Sequence, residues 1–420
     1  MTSVGFASLK SSKNNQSTLN KIVITCFLAV VSLLSSQIVS GQDSVPHPDD
    51  SLKDVKDLFT KKNSLKPKPQ PIELALEFTY LPAAGYSLQT GFAGVVSANL
   101  AFRSGQDIDS KLSSITTSFT YSQYNQIILP LIANIWSKNG KWNYSVDWRY
   151  MKYPSQTWGL AGRTDPNDGY TIDFAYLKIH QMVLHSISRN LYFGAGFFYD
   201  KFWNISERDA NGQPLSALAS TELRRQGLSG RNEIGSGIPV RLLYDSRLNQ
   251  INPSNGWYVN LTWRDNLRTI GSKRNWQSVV VDIRKYFRVT KAGNTLAFWG
   301  YNWLSQTNTP YFLLPSTGWD ENFNTGRGYI QGRYRSNIMN YLETEYRFRV
   351  THNGLLGGVV FANVQSYKAN LTSGPKSLAP AVGTGIRIKL NKTSGANLCI
   401  DYGIGQNGSK GFFVNLGEVF

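Results

Sequence analysis

Beyond residue 41 the chain has one cysteine, Cys399, so no disulfide can form within that part and the fold must hold without one. No segment after residue 41 is apolar for long enough to make a transmembrane helix, and the mean hydropathy is −0.30. A helical membrane protein is excluded, whereas a barrel is not, because its strands turn only every second side chain to lipid. Histidines number four: His47 and His352 stand alone, and His180 and His185 lie an odd number of residues apart on one strand, hence on opposite faces. That rules out a local metal pair. No Ser/His/Asp or Cys/His arrangement has supporting context, so the chain reads as a non-enzyme without cofactor. G-I-G-Q-N-G at 403–408 matches a dinucleotide fingerprint, but no helix follows, and the residues read as a strand end and tight turn.

Acidic residues are scarce, 27 against 44 basic ones, a net charge of +17. Residues 1–41 carry Lys10, Lys13 and Lys21 and no acid, so the chain without them is still +14. Nucleic acid is one partner for such a surplus, yet no zinc spacing, helix-turn-helix or clustered basic helix is present. Lipid phosphate is the expected counter-ion.

What is there starts with a leader. The run I-V-I-T-C-F-L-A-V-V-S-L-L-S-S-Q-I-V-S-G after Lys21 predicts a secretory signal peptide over 1–41, since Ser32, Ser35, Ser36 and Gln37 interrupt it too often for an anchor helix. Cys26 lies inside the run rather than at its end, which argues against lipidation. Residues 42–71, with V-P-H-P-D-D and K-P-K-P-Q-P, predict a periplasmic linker with at most a short helix around D-V-K-D-L-F.

From 72 to 420 the period is two. Strand starts are expected near 72, 86, 112, 126, 142, 170, 190, 236, 256, 275, 294, 336, 355, 378, 396 and 411, sixteen in all. An even count is what an all-β, sixteen-stranded antiparallel transmembrane barrel requires for both ends to lie on one side of the outer membrane. Short turns at 188–190, 291–294, 352–354 and 393–395 mostly alternate with long connections at 154–169, 205–235, 307–335 and 366–377, as periplasmic turns alternate with extracellular loops. At the end, Phe412, Val414, Leu416 and Phe420 alternate with Phe413, Asn415, Gly417 and Val419. All four of the first set are expected to face lipid, with Phe420 at the membrane interface.

Facing is legible elsewhere. Leu342, Thr344, Tyr346, Phe348 and Val350 share one face and Glu343, Glu345, Arg347 and Arg349 the other, so the second set faces the lumen, because a charge at the bilayer midplane costs about 2–4 kcal/mol. The same split puts Val382, Ile386, Ile388 and Leu390 outside with Arg387 and Lys389 inside, and Trp257, Val259, Leu261 and Trp263 outside with Asn260 and Arg264 inside.

Four stretches carry a resemblance. G-R-G-Y at 326–329 resembles the Arg-Gly-aromatic loop motif of the BamA/TamA outer-membrane family, in the bacterial surface antigen superfamily. Y-D-S-R-L-N-Q-I-N-P-S-N-G, with Asp245, Arg247, Pro253 and Gly256, resembles that family's strand-to-turn signature; Y-L-E-T-E-Y-R-F resembles its twelfth strand and F-F-V-N-L-G-E-V-F its closing strand. The resemblance implies that Arg327, Gly328 and Tyr329 sit on a loop between the eleventh and twelfth strands that folds back into the lumen. A desolvated guanidinium there needs carboxylates. Glu345 and Glu343 face inward on the next strand, and by resemblance Glu345 is the family's glutamate partner. A second acidic partner would fall at Asn363, and Asp401 is the candidate substitute. The periplasmic transport-associated repeats of the family are replaced by the linker, so the resemblance implies a short, barrel-only branch.

Three roles follow: a barrel aiding insertion of outer-membrane proteins or lipid handling, through a mobile seam between its first and last strands; an anion-preferring channel built on Arg241, Arg247, Arg264, Arg347, Arg349, Arg387 and Lys389; or a scaffold that anchors a partner complex through its long loops. Expected partners are outer-membrane lipid and lipopolysaccharide, with other outer-membrane or periplasmic proteins, and no nucleic acid.

Overall fold

The computed structural model describes residues 52–59, 77–105, 111–160, 169–208, 232–290, 293–375, 377–392 and 394–420. The expected leader, most of the linker and the expected first start near 72 lie outside them.

The described chain is one antiparallel meander. Its strands are β1 (Glu77–Ser87), β2 (Gly91–Arg103), β3 (Leu112–Ser122), β4 (Ile127–Trp136), β5 (Trp142–Lys152), β6 (Ser155–Thr157), β7 (Tyr170–Ser188), β8 (Leu191–Arg208), β9 (Asn232–Asp245), β10 (Gly256–Asn266), β11 (Trp276–Arg288), β12 (Thr295–Ser305), β13 (Ile338–Arg349), β14 (Leu356–Lys368), β15 (Ser377–Lys389), β16 (Asn397–Gly405) and β17 (Lys410–Leu416). Each pairs with the next, except that the three-residue β6 continues β5 after a break at Tyr153–Pro154 and both pair with β7. Sixteen strands therefore make the wall, as the alternation predicts. One expected start is wrong: 86 falls inside β1, because Leu88–Thr90 form a turn completed by Gly91 at φ +61°. Alternation continues unbroken through that turn, so the pattern did not mark it.

Alternation sets the faces. Phe78, Phe92, Leu342, Val382, Phe412, Val414 and Leu416 are exposed on the outer surface, while Glu343, Glu345, Arg387 and Asp401 are buried within. Val259 and Leu261 also face outward yet are buried, because Leu242, Trp257, Trp263, Val279 and Val281 pack over them on the same face. Arg349, expected inside, is exposed at the end of β13.

Two further observations place the site. β7 and β8 run 19 and 18 residues, well beyond the roughly 9–11 needed to cross a bilayer, so this hairpin rises past the wall at the long-loop end. β17 is only seven residues long, and Gly417, at φ +84°, turns the chain inward. Phe420 is therefore not at a membrane interface. It is 3% exposed inside the barrel, its ring stacked on Trp299 at 5.1 Å. The sequence held the reason: a strand continued through 420 would carry Glu418 on the lipid face with Phe412, Val414 and Leu416.

At the short-turn end, a one-turn helix, Val55–Phe59, docks under two turns. Lys53 N–H donates to Asn353 O at 2.9 Å, Lys392 N–H to Asp54 at 3.0 Å, and Lys392 Nζ pairs with Asp57 at 2.9 Å.

Candidate functional site

The connection from β12 to β13, residues 306–337, does not stand out from the wall but folds into it. Its first part is apolar: Tyr311, Phe312, Leu313 and Leu314 are buried against Phe174, Tyr176, Phe202, Ile205 and Trp276, so the tall β7–β8 hairpin supplies half of a core that the loop completes. Burial of such aromatic clusters removes several hundred Å² from water and fixes the loop against one side of the barrel. Polar pins add to it: Thr157 Oγ1 lies 2.5 Å from Tyr311 OH, Tyr153 OH donates to Gln331 Oε1 at 2.5 Å, and Arg335 donates to Tyr311 O at 2.6 Å.

Its second part crosses to the opposite wall. Gly326 and Gly328 have φ of +82° and +111°, and a Cβ on Gly328 would lie 2.7 Å from that of Ala381. Glycine at both positions lets the backbone turn and lie against the wall. Arg327, 2% exposed, is thereby held over the Phe361 ring at 3.8 Å. Its guanidinium donates to Glu343, to Glu345 at 2.5 Å and to Asp401 at 2.6 Å. All three carboxylates named from the sequence meet this one cation, Asp401 included. Asn363 plays a different part, donating from Nδ2 to Arg327 O at 2.9 Å. Tyr329 OH donates to Pro380 O at 2.6 Å and accepts from Gln406 N–H at 2.9 Å, while Ser409 Oγ donates to Gly328 O at 2.7 Å.

The network does not stop at the loop. Arg347 donates to Glu345 and, at 3.1 Å, to Pro253 O, which joins the strand-to-turn signature to the loop motif. Within that signature Asp245 accepts two bonds from the Arg247 guanidinium, at 2.9 and 3.0 Å, and Gly256 has φ +104°. Glu418 was not singled out in the sequence. It accepts from Arg387 at 2.8 Å and Asn397 at 2.6 Å, and Arg387 also reaches Asp401 at 2.5 Å. Asn324, on the loop, donates to Val419 O at 2.7 Å and accepts from Asn415 at 2.9 Å. So the loop, the 246–255 turn and residues 417–420 form one cross-linked body. Its charges nearly cancel: Arg327, Arg347 and Arg387 face Glu343, Glu345, Asp401 and Glu418, which is how buried ions are tolerated.

This body crosses the lumen and reaches its short-turn mouth. Residues 246–255 lean across the short-turn mouth, with Gln250 Oε1 accepting from Asn134 at 2.9 Å on one side and Asn249 donating to Ser394 O at 2.8 Å on the other. Between them and the loop lies a chamber of about 480 Å³. Five of the seven cations of the expected anion path are ion-paired: Arg241 by Glu321, Arg247 by Asp245, Arg264 by Asp200, Arg347 by Glu345, and Arg387 by Asp401 and Glu418. Of the other two, Arg349 is exposed at the end of β13 and Lys389 Nζ donates to Gly395 O at 3.2 Å.

The wall itself is weakest where the sheet should close. Among the described residues no ladder joins β1 to β17. The strands lie side by side, a Cβ on Gly85 falling 3.9 Å from Val414, and Leu88 N–H donates to Phe412 O at 3.2 Å at the long-loop end. Every other neighbouring pair of wall strands carries a ladder of six or more registered residues.

Solved structures with the same architecture are outer-membrane barrels. The fold is theirs. CdiB from Acinetobacter baumannii matches with a TM-score of 0.51 at 10% identity, over 81% of this chain and 60% of that one; CdiB from Escherichia coli matches at 0.52 and 11%, over 80% and 61%. BamA from Haemophilus ducreyi lacking POTRA domains 1-3 aligns at 0.48 and 12%, over 81% and 70%. The chain thus spans about three fifths of the CdiB chains. No protein-family model and no curated protein sequence matches it. At this identity the likeness is one of fold.

Proposed function

We propose that this protein sits in the outer membrane, exported by its leader, and works through its wall rather than its lumen, aiding the insertion of outer-membrane proteins or the handling of lipid. The observation that carries this reading is the contrast between a lumen occupied by a charge-paired loop and a seam held, among the described residues, by hardly more than proximity. An unpaired strand edge is a template for another strand, and a wall that opens there exposes its interior to lipid. A solute path would need cations free to meet the solute, and Arg241, Arg247, Arg264, Arg347 and Arg387 are already paired. Outer-membrane lipid, lipopolysaccharide and other outer-membrane or periplasmic proteins are the partners this reading calls for.

The test is reconstitution in liposomes. Faster folding of a second barrel, or scrambling of labelled lipid, is the expected result. Failure of both, with no ion-selective current in planar bilayers, would favour a scaffold role, and a selective current would favour the channel.

A further inference from the structure

At the long-loop rim, beside the seam, a cleft of about 720 Å³ opens among the tops of β1, β3, β5, β7 and β8. Tyr86, Tyr121 and Tyr124 stand at it, each between 43% and 51% exposed, with Lys152 and Gln156 across from them. It differs from the lumenal chamber in one respect that decides its chemistry. The chamber's charged groups are satisfied by one another. In the cleft, Lys152 Nζ, the Tyr86 and Tyr124 hydroxyls and the Gln156 carboxamide have no hydrogen-bond or ionic partner among the described residues. Arg208 adds a second cation at the cleft, tied to Asp173. Below, on the outer face, Phe92, Val96 and Phe119 are 68%, 47% and 47% exposed, and Phe92 and Val96 belong to β2, the strand paired with β1.

We propose that this cleft binds the phosphorylated sugar headgroup of a glycolipid, whose acyl chains lie down the wall over Phe92, Val96 and Phe119. Each part has a physical reason. Tyrosine rings offer flat apolar faces for the C–H face of a pyranose and hydroxyls for its oxygens, and they favour the height where one end is wet and the other greasy. An unpaired lysine is a point charge for phosphate, and basic recesses at membrane depth take anionic headgroups. The exposed outer face below is apolar enough for acyl chains. The inference shares the membrane setting of the proposed function but stands or falls without any activity at the seam.

The test uses the full chain in phosphatidylcholine nanodiscs. Four probes are titrated by native mass spectrometry: lipopolysaccharide, its de-acylated sugar phosphate, phosphatidylglycerol and inorganic phosphate. Lipopolysaccharide should bind best and the de-acylated form more weakly, with phosphatidylglycerol and phosphate at least tenfold weaker still. Lys152→Glu and Tyr124→Ala, both exposed and outside the loop network, should each weaken lipopolysaccharide at least tenfold while keeping the heat-modifiable migration of the folded barrel. Equal binding of phosphatidylglycerol, or variants that bind like the parent, would overturn the site. De-acylated sugar binding as tightly as the whole lipid would overturn the acyl part.

Discussion

Arg327 is the residue on which the loop turns, and its removal is the sharpest single test. Arg327→Ala leaves Glu343 buried without a cation and takes from Glu345 and Asp401 one of their two, a loss of about 3–5 kcal/mol for the uncompensated buried charge. The expected outcome is new protease cleavage near 326 in otherwise folded barrel; unchanged cleavage would refute the pin. The motif was legible through its resemblance to a known loop motif, and its acidic partners because inward charges on an alternating strand must find counter-charges. Glu418 and Asn324 were not, since their parts depend on a turn at Gly417 and on a loop path that no periodicity encodes. Phe420 was misplaced for the same reason. Phe420→Ala should therefore behave as a core truncation, costing about 3 kcal/mol in the urea unfolding of the barrel in vesicles, where Phe412→Ala, on the exposed face, should cost less.

Among elements, β17 is held on its inner side by the loop and on one edge by β16, while its other edge meets β1 through little more than Leu88 N–H. Gly85→Cys with Val414→Cys should form a disulfide under mild oxidation, because the two positions lie side by side. If the seam is the working part, that crosslink should abolish accelerated folding or scrambling, and reduction should restore it. Full activity in the crosslinked protein would sink the seam mechanism. The docked helix gives a pH dependence at this scale. A hydrogen bond from Lys392, helped by one from Asp54, holds the Asp57 carboxyl below its ordinary range. A depressed carboxylate contributes stability that is present above its unfolded value and lost as pH falls through the folded one, so docking should persist at neutral pH and weaken below about pH 4. Cleavage by an acid protease around 52–59 should rise in that window, and Lys392→Ala should bring comparable susceptibility at neutral pH.

For the whole molecule, a wall of sixteen strands around a loop anchored at both sides predicts a closed conductor. The intact chain should give no steady current in a planar bilayer, and excision of 309–335 should open one, since that segment carries both the apolar core against β7 and β8 and the Arg327 pin. A steady current from the intact chain would contradict the plugged lumen. The sequence by itself determined the wall: period-two alternation gave strand number, facing and the two classes of connection, because each strand must meet lipid on one side and water or charge on the other. Only the tertiary structure decided what fills the wall and where it is weak. Which carboxylate meets Arg327, how the 246–255 turn and residues 417–420 join that network, and how few bonds close β1 on β17 all depend on contacts between residues tens to hundreds of positions apart. Local periodicity carries no term for contacts of that range.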